Sequence, residues 1–138
     1  MALPGKESAA SILTGAVSCL PLQPNLRADI GRALITACSP VNMLYAILLC
    51  GSRLITLVQP RDSHLHIHGS DLSLFINFIT TQPSFRTVEC WTPVCLPRFN
   101  DSGFLYSYVA YLDVDMEVCL LLVSANDDPE QFKVRRLS

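Results

Sequence analysis

The sequence predicts an α+β domain, a five-stranded antiparallel sheet with helices packed on it, and three observations lead there. Apolar, β-rich segments succeed one another in the order strand, helix, two strands, helix, three strands, a layered sheet rather than alternating parallel βαβ units. Turn formers stand between neighbouring strand segments: Gly51-Ser52, Asn100-Asp101-Ser102-Gly103 and Asp113-Val114-Asp115-Met116. Two stretches carry instead the apolar period of a helix.

Taken in order, residues 1–10 mix Pro, Gly, Ser and both charges without a period and read as a flexible lead-in. Residues 11–22, with Ile12, Leu13, Val17 and Leu20, read as a strand stopped by Pro21 and Pro24. Asn25 is a good N-cap for a helix over 26–38, whose apolar face would comprise Leu26, Ile30, Ala33, Leu34 and Ala37. Ser39-Pro40 ends it. Residues 42–50 and 53–59 make a tight hairpin, and the unbroken apolarity from Met43 to Leu49 suggests a central strand buried on both faces. Gly69-Ser70-Asp71 opens a second helix with Leu72, Phe75, Ile76 and Ile79 on one face, ending at Pro83.

A further hairpin runs from Trp91, Val94 and Leu96 through the Asn100 turn into the β-rich segment 104–112. Pro93 and Pro97 cannot donate ladder hydrogen bonds, so its first strand belongs at a sheet edge, where partners attach. The last strand is 117–124, and Asn126-Asp127-Asp128-Pro129-Glu130 reads as the start of a third helix. With only 131–138 in which to grow, that helix is expected to be truncated or a disordered tail, so the domain is set at 11–125. The simplest layering puts the helices on one face of the sheet.

Length and composition narrow the function. At 138 residues the chain has the size of one domain with one core. Half of its residues are hydrophobic and only 16% are charged. About a quarter charged is usual, so the surplus apolar surface points to a covering partner. A net charge of −2, with Lys6 and Lys133 the only lysines, disfavours nucleic acid. The six cysteines show no CxxC pair and read as reduced, buried small hydrophobes. Residues 9–22 are apolar enough to raise a signal peptide but come after Lys6-Glu7 and lack a clean cleavage site. No apolar run is long enough to span a bilayer.

Candidate sites are weak. On a strand, His64, His66 and His68 would point the same way, but they would span too far for one ion, and only Asp62 or Asp71 could add a ligand. A solvated or partner-facing connector is the better reading. Cys90 and Cys95 have no cation close in sequence to lower a thiolate pKa, and core packing is expected. Asp113, Asp115 and Glu117 lie on one side of a turn without a calcium loop's glycine. Neither a GxSxG elbow nor the phosphate loops GxxxxGK[ST] and GxGxxG are present. Arg135-Arg136-Leu137-Ser138 could be a basophilic kinase site, or simply tail.

One stretch carries a resemblance: Trp91-Thr92-Pro93-Val94-Cys95-Leu96-Pro97-Arg98-Phe99-Asn100-Asp101-Ser102-Gly103-Phe104-Leu105-Tyr106. With Glu89-Cys90 before it, Arg53-Leu54-Ile55-Thr56-Leu57-Val58-Gln59-Pro60-Arg61 upstream and the helix opening Ser70-Asp71-Leu72, it resembles the Mon subunit of the Mon-Ccz complex, a vacuolar or vesicle fusion protein family. The resemblance covers roughly residues 11–124, and it reassigns the apolar start as an internal strand rather than a signal peptide. It implies a longin/roadblock-like fold, similar to the second of three longin domains. It further implies a guanine-nucleotide exchange factor complex for a late-endosomal Rab GTPase, in which this domain lacks the exchange surface. The expected role is a non-catalytic scaffold binding a Ccz-type longin subunit. The expected location is cytoplasmic, peripheral to late endosome, vacuole or lysosome membranes. No cofactor and no catalytic or metal-binding residue is implied. Trp91, Pro93, Leu96, Pro97, Phe99, Asn100, Gly103, Phe104 and Tyr106 are the motif positions, with structural roles. The family continues into a closing helix and a third longin domain beyond the region resembled, so a fragment or variant is expected. A longin-type adaptor without an exchange role and a Cys/His metal-binding enzyme are the alternatives.

Overall fold

Met43, Tyr45, Ala46, Ile47 and Leu49 are all buried, as an apolar run must be when it forms the middle of a sheet. A computed structural model describes residues 6–8, 17–38, 43–98 and 105–124. Its elements are β1 (Lys6–Ser8), α1 (Pro24–Cys38), β2 (Tyr45–Cys50), β3 (Arg53–Pro60), α2 (Gly69–Thr80), β4 (Cys90–Val94), β5 (Leu105–Asp113) and β6 (Val118–Ser124). Short 3-10 turns occupy Ser63–Leu65 and Pro83–Arg86. All strands join one sheet in the order β1-β3-β2-β6-β5-β4, every pair antiparallel. Strands β2 to β6 are the five-stranded antiparallel sheet read from the sequence. The prolines fall where expected, because β4 is the outermost strand.

Hairpin β2–β3 turns at Gly51-Ser52, with Cys50 opposite Arg53. Gly51 takes a φ of +63°, a conformation that a Cβ disfavours. The turn between β5 and β6 lies alongside it: the Gly51 N–H donates to the Glu117 carbonyl at 2.9 Å. Glu117 itself has a φ of 58°. Its carboxylate pairs with the Arg86 guanidinium at 2.9 Å, tying this end of the sheet to the segment after α2.

Alternation along the strands divides the core in two. Tyr45, Ile47, Leu49, Val109, Leu121 and Val123 face α2, whose Leu72, Phe75, Ile76 and Ile79 lie against them. Burying each of those helical side chains contributes about 1.5–3 kcal/mol. Ala46, Val58 and Leu122 face the other way, toward Ile35 of α1. The helices therefore lie on opposite faces of the sheet, which corrects the one-faced arrangement. A strand apolar on both sides, as β2 is, requires cover on both.

Three expectations change further. Residues 17–22 are not a strand: Cys19 makes one parallel bridge to Leu54, held by Leu20 N–H to Leu54 O and Leu54 N–H to Ser18 O, both 2.8 Å. Pro21 ends the pairing, and the rest of that edge of β3 is taken by β1, opposite Val58 to Pro60. So Lys6–Ser8, placed in a flexible lead-in, is an edge strand; residues 11–16 of the expected strand lie outside the described residues. Helix α1 begins at Pro24 rather than after Asn25, since proline's fixed φ and missing N–H suit a first helical position. Its inward line is Arg27, Gly31 and Ile35, leaving Leu26 48% exposed and Ala33 and Ala37 outward. Arg27 causes the rotation, because its guanidinium donates to the carbonyls of Ile55, at 2.9 Å, and Leu20. The expected third helix and the Arg135-Arg136-Leu137-Ser138 tail lie outside the described residues.

Candidate functional site

Strand β4 and the residues after it place the motif on both faces of the sheet. Trp91 stacks on Tyr106, ring centroids 5.6 Å apart and planes within 6°, on the side that α1 shares. Val94 and Leu96 point the opposite way and are buried beneath α2. Pro93 is exposed opposite Tyr106, and Pro97 is exposed beyond the strand's end. Leu105 is buried at the start of β5. The motif positions Phe99, Asn100, Gly103 and Phe104 lie outside the described residues. The structure thus brings Trp91, Pro93 and Tyr106 together and sets Leu96 on the other side.

The segment leaving β4 is held by a residue that the sequence offered only as a helix opening and a possible metal ligand. Asp71, in the first turn of α2, is fully buried, and both its carboxylate oxygens accept the Arg98 N–H, at 2.9 and 3.2 Å. A carboxylate held this way joins the start of α2 to the end of the Leu96-Pro97-Arg98 segment. The signal was present as the one charge in an otherwise uncharged helix. Gln59 does similar work, its buried Oε1 accepting the Ile67 N–H at 3.0 Å. The Tyr45 hydroxyl donates to Leu65 O at 2.8 Å. Burial, with the Asp71 carboxylate second, pushes the Tyr45 phenol upward.

The histidine segment does not form a strand, so the alternating display does not arise. His64 is exposed in the 3-10 turn, where its N–H donates to Asp62. His68 Nδ1 accepts the Ser70 N–H at 3.2 Å and caps α2. Asp71, weighed as a third metal ligand, faces Arg98 instead. Among the described residues no cluster of three or more His, Cys, Asp or Glu could hold a metal ion. Cys90 and Cys95 are free thiols. Burial raises the Cys90 thiol, the opposite of activation, and pushes Cys119 up to about 12. In the β5–β6 turn Asp113 accepts the Met116 N–H at 3.0 Å and Glu117 pairs with Arg86, so those acids serve the turn.

Two apolar hollows remain. One, of about 270 Å³, lies between α2 and β4, walled by Leu74 and Phe78 on the helix and Pro93 and Cys95 on the strand, with Val94 and Leu96 at its floor. The other, larger hollow opens over Tyr108, Ala110 and Leu120, between Ala37 of α1 and the segment Val88-Glu89. Neither gathers a nucleophile with a base.

An antiparallel sheet with a helix on each face and a proline-blunted edge defines a longin-type α+β domain. The family model described as the second longin domain of FUZ, MON1 and HPS1 matches residues 41–138, and the chain belongs to that family. It is 44% identical over 122 residues to "Vacuolar fusion protein MON1 homolog A" of Gallus gallus, covering 88% of this chain and 21% of that protein. To the protein of the same name from Homo sapiens it is 43% identical over 122 residues, 88% of this chain and 18% of that protein. To "Protein SAND" of Takifugu rubripes it is 42% identical over 121 residues, 88% and 22%. The chain spans about a fifth of the length of these relatives.

Proposed function

We propose that the chain is a non-catalytic scaffold of a Rab guanine-nucleotide exchange factor complex, acting in vesicle-mediated transport and fusion at late endosomes or vacuoles. Its partner is a Ccz-type longin subunit, and its location is peripheral to those membranes. The observation that carries this is the similarity to vacuolar fusion proteins along 88% of the chain. The low share of charge and the exposed Leu74, Phe78, Val88 and Leu112 support a role in which apolar surface is covered by another chain. Among the described residues no helix is long and apolar enough to cross a membrane, so attachment through the complex is the route proposed. The test is co-expression of residues 1–138 with a Ccz-type subunit and size-exclusion chromatography. Co-elution is expected; a chain that elutes alone would favour an adaptor without an exchange role.

A further inference from the structure

We infer that the groove between α2 and β4 seats an uncharged, apolar face of a helix from the partner subunit, and that this contact is made without strand addition. The inference rests on the scaffold reading and names where and how the partner docks.

Charge selects the chemistry of the occupant. From Leu72 to Phe85 and again from Cys90 to Pro97 the sequence holds no Asp, Glu, Lys, Arg or His. Asp71, the single charge of α2, is buried and committed to Arg98. Helix α2 is therefore apolar on two sides: inward through Phe75 and Ile79, and outward through Leu74, 56% exposed, and Phe78, 40% exposed. With no lysine or arginine in either wall, an anionic membrane surface has nothing to hold it there. A charged peptide would lose its hydration without gaining a counter-ion.

Hydrogen-bond economy selects the occupant's shape. Along β4 every second residue turns its backbone outward, and Pro93, lacking an N–H, occupies an outward position of the edge strand. An added strand would meet Trp91 and then a missing donor, so a continuous ladder cannot form. A helix satisfies its own backbone and needs only apolar contact. Leu74 and Phe78 stand one helical turn apart, and Phe85 packs edge-on against Phe78, centroids 5.6 Å apart. That spacing matches a pair of aliphatic side chains at i and i+4 of the incoming helix.

The test is the co-elution experiment repeated with Leu74→Asp, Phe78→Asp and, on α1 at the opposite face of the sheet, Leu26→Asp. Leu74 and Phe78 are exposed, and an unchanged thermal midpoint by circular dichroism confirms that the variants fold. We expect Leu74→Asp and Phe78→Asp to weaken association by about tenfold or more, as loss of a central apolar anchor does, and Leu26→Asp to leave it unchanged. Pro93→Val restores an outward donor and is expected to give no gain. Association that survives both groove substitutions overturns the inference and leaves the scaffold reading intact. So does a tenfold gain with Pro93→Val, which would show strand addition, or a self-association of the chain alone that the groove variants abolish. If the unaltered chain does not bind the Ccz-type subunit, both readings fall together.

Discussion

Buried ionisable groups are the residues whose chemistry is most altered by this fold. Cys119, inside the sheet on β6, has its thiol pushed from an ordinary value near 9 up to about 12 by burial. Between those values the unfolded chain has released that proton and the folded chain still holds it. Stability contributed by the protonated thiol is complete below pH 9 and is lost as pH rises toward 12. One such group costs about 1.4 kcal/mol per pH unit in that window. Urea unfolding at pH 8, 9, 10 and 11 is expected to show the decline, and Cys119→Ala is expected to make it shallower, leaving the part that Cys90 and Tyr45 contribute. An equal slope in both proteins would show that Cys119 does not carry it. Its burial was legible, because Cys119 alternates with Leu121 and Val123 in the final strand, whereas Asp71 and Arg27 were not. Nothing in the spacing distinguishes a charged residue turned inward to meet a carbonyl or an N–H from one facing water.

At the scale of elements, α2 was legible from its period and α1 was not. Leu72, Phe75, Ile76 and Ile79 have only apolar competition for the sheet, so the hydrophobic period decides which side is buried. In α1 the period favoured Leu26, Ala33 and Ala37, but two carbonyls, of Ile55 and Leu20, draw Arg27 inward and turn the helix about its axis. The edge at β4 was read correctly because proline's missing donor acts locally, whatever surrounds it. The joint between α2 and the segment after β4 depends on Asp71. Asp71→Ala removes the acceptors of Arg98 N–H and is expected to cost about 1–3 kcal/mol in chemical denaturation. Asp71→Asn keeps one carbonyl acceptor and is expected to cost less. Equal losses would show that space at that position, rather than the hydrogen bond, is what matters.

For the whole molecule, the antiparallel hairpins came from turn chemistry and apolar runs, whereas the sheet order did not, since the simplest arrangement was a meander and β2 instead pairs with β6. Nor did the split of helices between two faces. Which side of a sheet a helix takes depends on the direction in which the chain leaves the preceding strand, and a linear pattern does not record it. The consequence for function is that cover is uneven: α2 leaves its outer side apolar, and α1 leaves Tyr108 and Leu120 only partly buried. Such uneven cover suits the proposed scaffold, and of the candidate chemistry His68 caps α2, Cys119 is packed inside the sheet and Asp113 closes the β5–β6 turn. The most direct test of that account is nucleotide release from a late-endosomal Rab loaded with a fluorescent guanine nucleotide, monitored with the purified complex of this chain and a Ccz-type subunit. A release rate within about twofold of the spontaneous rate is the expected result, since only interactions made in the transition state accelerate a step and a scaffold supplies no such surface. Acceleration by tenfold or more would contradict the scaffold reading and place exchange activity on this domain.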